Sequence, residues 1–320
     1  MEKNCLSGWS IVPFIKETVL FDFKVDLSDD IEYMAEDIEE DDHYVCSWAM
    51  SKGKIRKTSE DRCFVQKIKV RGELYSLFVL MDGHRGNDVN RVIINSCGHH
   101  LAHLLDRSSE SLDVEYVHDR FTKLFLLLNN EVEIKGLLGG STLNIILYSH
   151  TTRSKYSANV GDAKTIGYKI REGDKEYFDH NPDIFSVMAK CSSLEKDSIK
   201  VLSEDHNATN KKELDSFLKE NSGFVYSRQY IRKRSDLVLG GGINMTRSIG
   251  DVSIGTSSQP FVVKVDYDVI SLMSDGLANV RHNVLYQKIC QGHSSPEILE
   301  YGMEVSKEYD NSSFMLIHFK

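Results

Sequence analysis

The sequence predicts an α+β fold. Three observations carry this: strand-like apolar runs cluster before residue 85, two long stretches with apolar residues at three- and four-residue spacing follow without a strand between them, and strand-like runs then resume. Alternating βαβ units would interleave the two patterns instead.

Taken in order, residues 1 to about 42 mix apolar and acidic pieces and end in EYMAEDIEEDD, whose like charges repel one another; this reads as an acidic N-terminal extension, partly disordered or laid over the body. Residues 43–320 then form a single domain, since no proline-rich or glycine/serine-rich linker divides them. Tyr44 to Met50 and Cys63 to Val70 are strands, the second alternating through Phe64, Gln66, Ile68 and Val70, and Leu74 to Met81 is its antiparallel neighbour. Val89 to Leu105 and Val114 to Ile134 are helices; Val117, Phe121, Leu124, Phe125 and Leu128 mark the buried stripe of the second. Strands resume with Ser141 to Tyr148, Lys155 to Val160 and Thr165 to Ile170. The stretch from about 171 to 200 loses periodicity and is read as an irregular insertion. Asn210 with Glu213 resembles a capping box opening a short helix that Gly223 ends. Ile243 to Arg247, Phe261 to Val265 and Val269 to Met273 are further strands, Pro296 suits the first turn of a helix to about Tyr309, and Ser313 to Phe319 closes the chain as a strand.

Composition narrows the partners. The chain has 320 residues, 41% hydrophobic and 27% charged, and a formal charge of -9, which argues against a nucleic-acid partner because phosphate backbones are held by concentrated Lys and Arg. Its short basic piece, Arg228 to Arg234, reads as a solvated loop or an edge that contacts phosphopeptides. Cys5, Cys46, Cys63, Cys97, Cys191 and Cys290 contain no CxxC pair, so neither zinc ligation nor a disulfide framework is indicated and a reducing compartment fits best. The N-terminus lacks a signal peptide's basic and apolar regions, and no stretch approaches the roughly 20 apolar residues that span a bilayer. A cytosolic and/or nuclear protein without membrane or nucleic-acid partners, and a monomer, is expected.

The chemistry is concentrated where apolar strands end. LYSLFVLMDGHRG, from Leu74 to Gly86, is too short for a buried helix and reads as a strand buried on both faces, with Asp82 and His84 at its exit and Gly83 allowing a tight bend. VISLMSDG repeats the pattern and puts Asp275-Gly276 at another strand end. Two such dipeptides alone also fit ordinary turns. Further acidic residues recur beside strands and glycines: Glu60-Asp61, Gly161-Asp162, Gly250-Asp251 and Asp310-Asn311. Hard divalent cations such as Mg2+ and Mn2+ prefer oxygen ligands, and converging carboxylates repel strongly unless a cation neutralises them. His99, His100 and His103 are read as a partly exposed helix face, not a metal site, and Gly240 to Gly242 lacks the Lys-Ser/Thr of a nucleotide loop.

The ordered set Arg56-x-x-x-Glu60-Asp61, FVLMDGH with Gly86, Gly140-Ser141-Thr142, NVGD at 159 to 162, LSEDH at 202 to 206, TRSIGD at 246 to 251, SDG at 274 to 276 and Asp310-Asn311 resembles the metal-dependent type 2C serine/threonine protein phosphatases, from about Tyr44 to the C-terminus. The resemblance implies a four-layer αββα sandwich, two central antiparallel sheets flanked by helices, with a site for two Mg2+ or Mn2+ ions at one end. It implies that Asp82 bridges both ions, that the Gly83 carbonyl, Asp275 and Asp310 ligate directly, and that Glu60 and Asp61 act largely through water. A water between two cations becomes a nucleophile near neutral pH. Arg56 would then grip the phosphate and His84 protonate the leaving oxygen. No cysteine followed by five residues and an arginine is present, consistent with a mechanism without phosphocysteine.

Three features depart from the family's pattern. Asn279 stands where a second aspartate, four residues after Asp275, helps hold a third ion together with the residue matching Asp162; an amide lacks the needed charge, which leaves a third metal doubtful. Arg85 follows His84 where a small residue is usual, and Ala163-Lys164 follow Asp162 in place of Ser-Arg. The insertion at about 171 to 200 is longer than the family's usual link before LSEDH and is read as an added surface for a partner or substrate. The expected function is hydrolysis of phosphoserine and phosphothreonine in phosphoprotein substrates; the alternative is a catalytically weak or inactive pseudophosphatase serving as a regulatory binding module.

Overall fold

The computed structural model describes residues 19–24, 33–106, 112–182, 187, 190, 198–227, 229–233, 242–307 and 310–320. Two antiparallel sheets lie face to face. The first runs β1 (Val19–Lys24), β4 (Asp61–Val70), β5 (Glu73–His84), β7 (Leu143–Ser149), β8 (Lys155–Val160) and β14 (Phe261–Val265), with the two-residue strands β6 (Gly140–Ser141) and β13 (Ile249–Gly250) attached at the end of β5. The second runs β10 (Ile199–Val201), β9 (Lys164–Tyr168), β15 (Val269–Met273), β16 (Ser312–Phe319), β3 (Tyr44–Ser51) and β2 (Tyr33–Glu40). Strands β11 (Phe224–Ser227) and β12 (Tyr230–Lys233) form a separate hairpin. Helices α1 (Asp88–Asp106) and α2 (Val114–Ile134) cover the first sheet, and α3 (Asp174–His180), α5 (His282–Cys290) and α6 (Ser295–Ser306) cover the second. Helix α4 (Lys211–Glu220) packs with the hairpin on a small cluster of its own around Phe217, Ile231 and Ile243. This is the four-layer αββα sandwich expected.

The two-residue period of a strand explains why Leu77 to Met81 of β5 are all apolar. Leu77, Val79 and Met81 point into the layer beneath α1 and α2, while Phe78 and Leu80 point between the sheets against Cys46, Trp48, Leu272 and Met315. A strand with water on one face would alternate with polar residues. Here both faces are core, and Leu77 to Met81 are all fully buried.

The acidic stretch before residue 43 supplies edge strands to both sheets: β1 pairs with β4, and β2 with β3. Among its described side chains, Glu39 and Asp41 are reached by Lys67 at 3.2 Å and 2.8 Å, and Glu40 by Lys320 at 3.1 Å. The stretch read as irregular contains α3, whose Asp174 accepts from Tyr286 and pairs with Lys190; much of the rest of it, with Arg228, Arg234, Gly240 and Gly241, lies outside the described residues.

Three local expectations are corrected. Asn210 does precede α4, but no capping box forms, because Glu213 is taken by a two-pronged ion pair with Arg247 (2.7 and 2.8 Å) and the Asn210 amide donates to the Asp205 carbonyl. Ile243 to Arg247 is not a strand. Its backbone partners change from residue to residue, Ile231, Ala208 and then His206, so no ladder extends. Gly83 makes no bend: β5 continues through His84, and the turn begins at Arg85 and Gly86, with φ of 62° and 100°. Among the described residues, no helix is long and apolar enough to cross a membrane.

Candidate active site at one end of the sandwich

The C-terminal end of β5 is the floor of a cleft of about 390 Å³. Asp82 is fixed there from both sides of its peptide: its N–H donates to the Thr142 hydroxyl at 2.9 Å, and its carbonyl accepts from the Thr142 N–H at 2.9 Å. In the β4–β5 ladder, Asp61 stands opposite Asp82. Gly83 is needed for close approach: a Cβ there would lie 2.6 Å from the Asn90 amide and 2.7 Å from the Glu60 carbonyl. Both neighbours are already joined, since Asn90 donates to that carbonyl at 2.6 Å and the Gly83 N–H donates to it at 3.1 Å.

Four other segments converge on this floor. Asp162 follows Gly161, whose φ of 91° turns the chain between β8 and β9, and it accepts from the Asn207 amide at 3.0 Å. Asp275 starts a short 3-10 turn after β15, and Asp310 lies in the loop before β16. Asn311 ties down the segment carrying Arg56 and Glu60: it accepts from the Glu60 N–H at 2.8 Å and donates to the carbonyls of Lys52 (2.9 Å) and Thr58 (3.1 Å). Arg62, buried beneath, donates to the carbonyls of Ser59 and Asp61. The Glu60 carboxylate accepts from the Gly86 N–H.

Thus Arg56, Glu60, Asp82, Gly83, His84, Asp162, Asp275 and Asp310 line one cleft, and Asp61 lies fully buried behind it. Asn279 is exposed beyond the Asp275 turn and does not line the cleft. His100 instead contacts Glu131 on α2 at 3.3 Å. Arg85 lines the cleft in a left-handed conformation, with φ of 62°, which glycine adopts at less cost.

The carboxylates of the cleft repel one another. Asp61 is fully buried, Asp82, Asp162 and Asp310 are partly buried, and Asp275 is exposed at the surface of the cleft. Burial first, then the charges of Asp61, Asp275 and Asp162, hold Asp82 well above the usual carboxylate range. Burial likewise pushes Asp61 up to about 7, although the hydroxyls of Ser274 and Ser313 ease its charge, and neither of its oxygens has a hydrogen-bond partner of normal geometry. Asp275 rises to about 6 through burial and the charges of Asp162 and Asp310, and Asp162 is also raised by burial. Orphaned, mutually repelling carboxylate oxygens are what a hard cation satisfies, so the donor set fits Mg2+ or Mn2+.

Two further groups complete the arrangement. Arg56 holds Asp310 with both prongs, Nε to Oδ1 and Nη2 to Oδ2, each at 2.8 Å. His84 Nε2 lies 2.6 Å from Oδ2 of the buried Asp251, which also accepts from the Ser248 hydroxyl at 2.9 Å. Gly140 leaves room for this contact, because a Cβ there would fall 2.1 Å from Asp251 Oδ2 and 2.6 Å from His84 Nε2. Sequence reading gave no role to Asp251, Asn311, Asn207 or Thr142. Each stands in or beside a recognised motif, but its partner is far away in the chain.

Comparison with curated protein sequences finds no match. Among solved structures, the fold is similar to a serine-threonine phosphatase 2C from Toxoplasma gondii (TM-score 0.64, 16% identity, 90% of this chain and 98% of that one). It is also similar to a C. elegans sex determining protein (TM-score 0.63, 18% identity, 88% of this chain), of whose length it spans 66%. A third likeness is to the S. agalactiae serine/threonine phosphatase (TM-score 0.54, 16% identity, 87% of this chain and 100% of that one). The family model for protein phosphatase 2C matches residues 48–295, which is most of the sandwich and most of the cleft. The chain therefore belongs to the protein phosphatase 2C family.

Proposed function

We propose that this protein hydrolyses phosphoserine and phosphothreonine in phosphoprotein substrates, in a cytosolic or nuclear setting, with two Mg2+ or Mn2+ ions in the cleft. The observation that carries the reading is the convergence of carboxylates from five separate segments on one cleft that also holds Arg56 and His84. Asp82, Asp275, Asp310 and the Gly83 carbonyl would hold the ions directly, with Glu60, Asp61 and Asp162 supporting them. Bound there, the cations would supply an acidified water and an electrophilic pull on the phosphoryl oxygens.

The chain's own residues do the rest. The Arg56 fork, which spans two oxygens of Asp310, matches two oxygens of a phosphoryl group equally well. With Nε2–H donating to Asp251, the doubly protonated ring of His84 presents Nδ1–H as the proton that can pass to the departing serine or threonine oxygen, leaving the neutral ring with its proton on Nε2. Ser248 and the gap at Gly140 keep Asp251, and through it the ring, in one orientation.

The test is hydrolysis of an aryl phosphate and of a phosphothreonine peptide with Mn2+, with chelator and Asp82→Asn as controls. Turnover that needs the metal and Asp82 is expected. A folded protein without metal-dependent turnover would favour the pseudophosphatase reading, to which the charge missing at Asn279 already points.

A further inference from the structure

A second cluster of ligand-type side chains lies at the other end of the sandwich. Asp41 and His43 sit in the turn between β2 and β3 of the second sheet, and His150 opens the turn between β7 and β8 of the first. One carboxylate oxygen and one ring nitrogen from each histidine lie within 4.8 Å of one another. Ser76, which touches His150, is six residues before Asp82 along β5, roughly 20 Å at the rise of a strand, so this cluster is separate from the cleft.

Hydrogen bonding around the cluster sets which nitrogen is free. Glu39 can only accept, so the Tyr44 hydroxyl donates to it at 2.8 Å. The Ser76 hydroxyl donates to Tyr44 at 3.2 Å, which leaves the Ser76 oxygen to accept from His150 Nε2 at 2.8 Å. His150 Nδ1 therefore carries the lone pair. The Tyr148 oxygen, 3.3 Å from His43 Nδ1, can accept a hydrogen bond from an N–H at that nitrogen and leave Nε2 of His43 for an ion. Such a second set of contacts, fixing the tautomer through the opposite ring nitrogen, is typical of histidines that bind metals.

Asp41 keeps capacity as well. Oδ1 accepts from the His43 N–H at 2.9 Å and Oδ2 from Lys67 at 2.8 Å, so each oxygen retains a lone pair. The terminal Lys320 pins the same turn, its N–H on the His43 carbonyl at 2.8 Å and its ammonium on the Asp41 carbonyl at 3.0 Å.

We propose that Asp41, His43 and His150 form a second metal site, for a borderline transition metal of the zinc class, that cross-links the two sheets. Two imidazoles and one carboxylate suit such an ion better than Mg2+ or Mn2+, which the all-oxygen cleft suits. Bonds of about 2.0 to 2.2 Å in a tetrahedral set would draw the ligand atoms to about 3.3 Å apart, a closure of up to about 1.5 Å by side chains on turns.

The test is titration of the chelator-treated full chain with Zn2+, followed by calorimetry and by NMR of the histidine nitrogens. Expected are one Zn2+ equivalent held outside the cleft, metal-induced shifts at His150 Nδ1 and His43 Nε2, and a higher melting temperature with Zn2+. Affinity should fall by about tenfold or more in His43→Gln and in His150→Gln, and persist in Asp82→Asn, which silences the cleft. Zn2+ binding that Asp82→Asn abolishes and the histidine variants do not, or unshifted histidine signals in the unsubstituted chain, would overturn the proposal. The NMR readout needs no variant, so misfolding of the histidine variants would leave the decision intact.

Discussion

Gly83→Ala separates two reasons for a glycine beside Asp82. If glycine served a bend, alanine would meet only backbone strain. The structure assigns it to close approach, since an added Cβ meets the Asn90 amide at 2.6 Å and the Glu60 carbonyl at 2.7 Å, and neither is the end of a long flexible side chain. Carbon needs about 3.4 Å or more from such atoms, so β4 and the Glu60 segment must move by up to about an ångström from β5. The overpacking costs about 1 to 3 kcal/mol, and losing the Asn90 hydrogen bond to the Glu60 carbonyl about 1 kcal/mol more, for a total of about 2 to 4 kcal/mol. Because Glu60 and Asp61 shift relative to Asp82, turnover should fall about 100-fold. Urea denaturation and aryl phosphate hydrolysis measure the two effects. Gly86→Ala is the control: nothing lies within 4 Å of a Cβ there, and the φ of 100° leaves strain alone. Removing Asn90 together with Gly83 should restore part of the loss but not all, because the Glu60 carbonyl remains in the way. A Gly83→Ala protein within about 0.5 kcal/mol of the parent, with unchanged turnover, would refute the close-approach argument.

Asp251→Asn should slow hydrolysis of a phosphothreonine peptide by about 100-fold and of an aryl phosphate much less, because only the poor leaving group needs a well-placed proton donor; equal losses on both substrates would point to structural damage. Asn311→Ala leaves the Glu60 N–H and the carbonyls of Lys52 and Thr58 without their partner and should cost about 2 to 4 kcal/mol by denaturation, with a loss under about 1 kcal/mol arguing against its role as a clamp. Asp61 and Asp275 are raised to about 7 and about 6 in the metal-free fold, above the ordinary 3.8 they regain on unfolding, so the native state binds protons more tightly. Their contribution is full below about pH 4 and is lost as pH rises through about 6 to 7, so the melting temperature of chelator-treated protein should drop across that window and Mn2+ should reverse the drop. A flat metal-free profile would mean that these carboxylates keep ordinary values.

Much of the layer structure is legible in the chain. The five-residue run Leu77 to Met81 in β5 and the fully buried β15, in which Ser271 is the lone polar residue, reveal strands with core on both faces, and Val117, Phe121, Leu124, Phe125 and Leu128 mark the stripe that α2 buries. Reading by local pattern fails where long-range partners override it. Asn210 and Glu213 have the spacing of a cap, yet Glu213 goes to Arg247, an ion pair stronger than the capping hydrogen bond it replaces. Gly83 and Gly276 look like turn glycines. A Cβ at Gly83 would collide with the Asn90 amide and the Glu60 carbonyl, and one at Gly276, which does lie in a turn, with the Asn311 carbonyl and the Ser312 hydroxyl.

By itself the sequence determined the fold class, the buried strands, the two long helices, the family motifs and the identity of nearly every group in the cleft. These follow from periodicity and from short segments whose chemistry is complete in themselves. Only the tertiary structure decided which of those groups meet: Asp251 with His84, Asn311 with the Glu60 segment, Arg56 with Asp310, and Asp41 and His43 with His150. Such pairs join residues more than a hundred positions apart in the chain. The physical reason is that hydrogen bonds and charge repulsion depend on distance in space, and the packing of two sheets sets that distance.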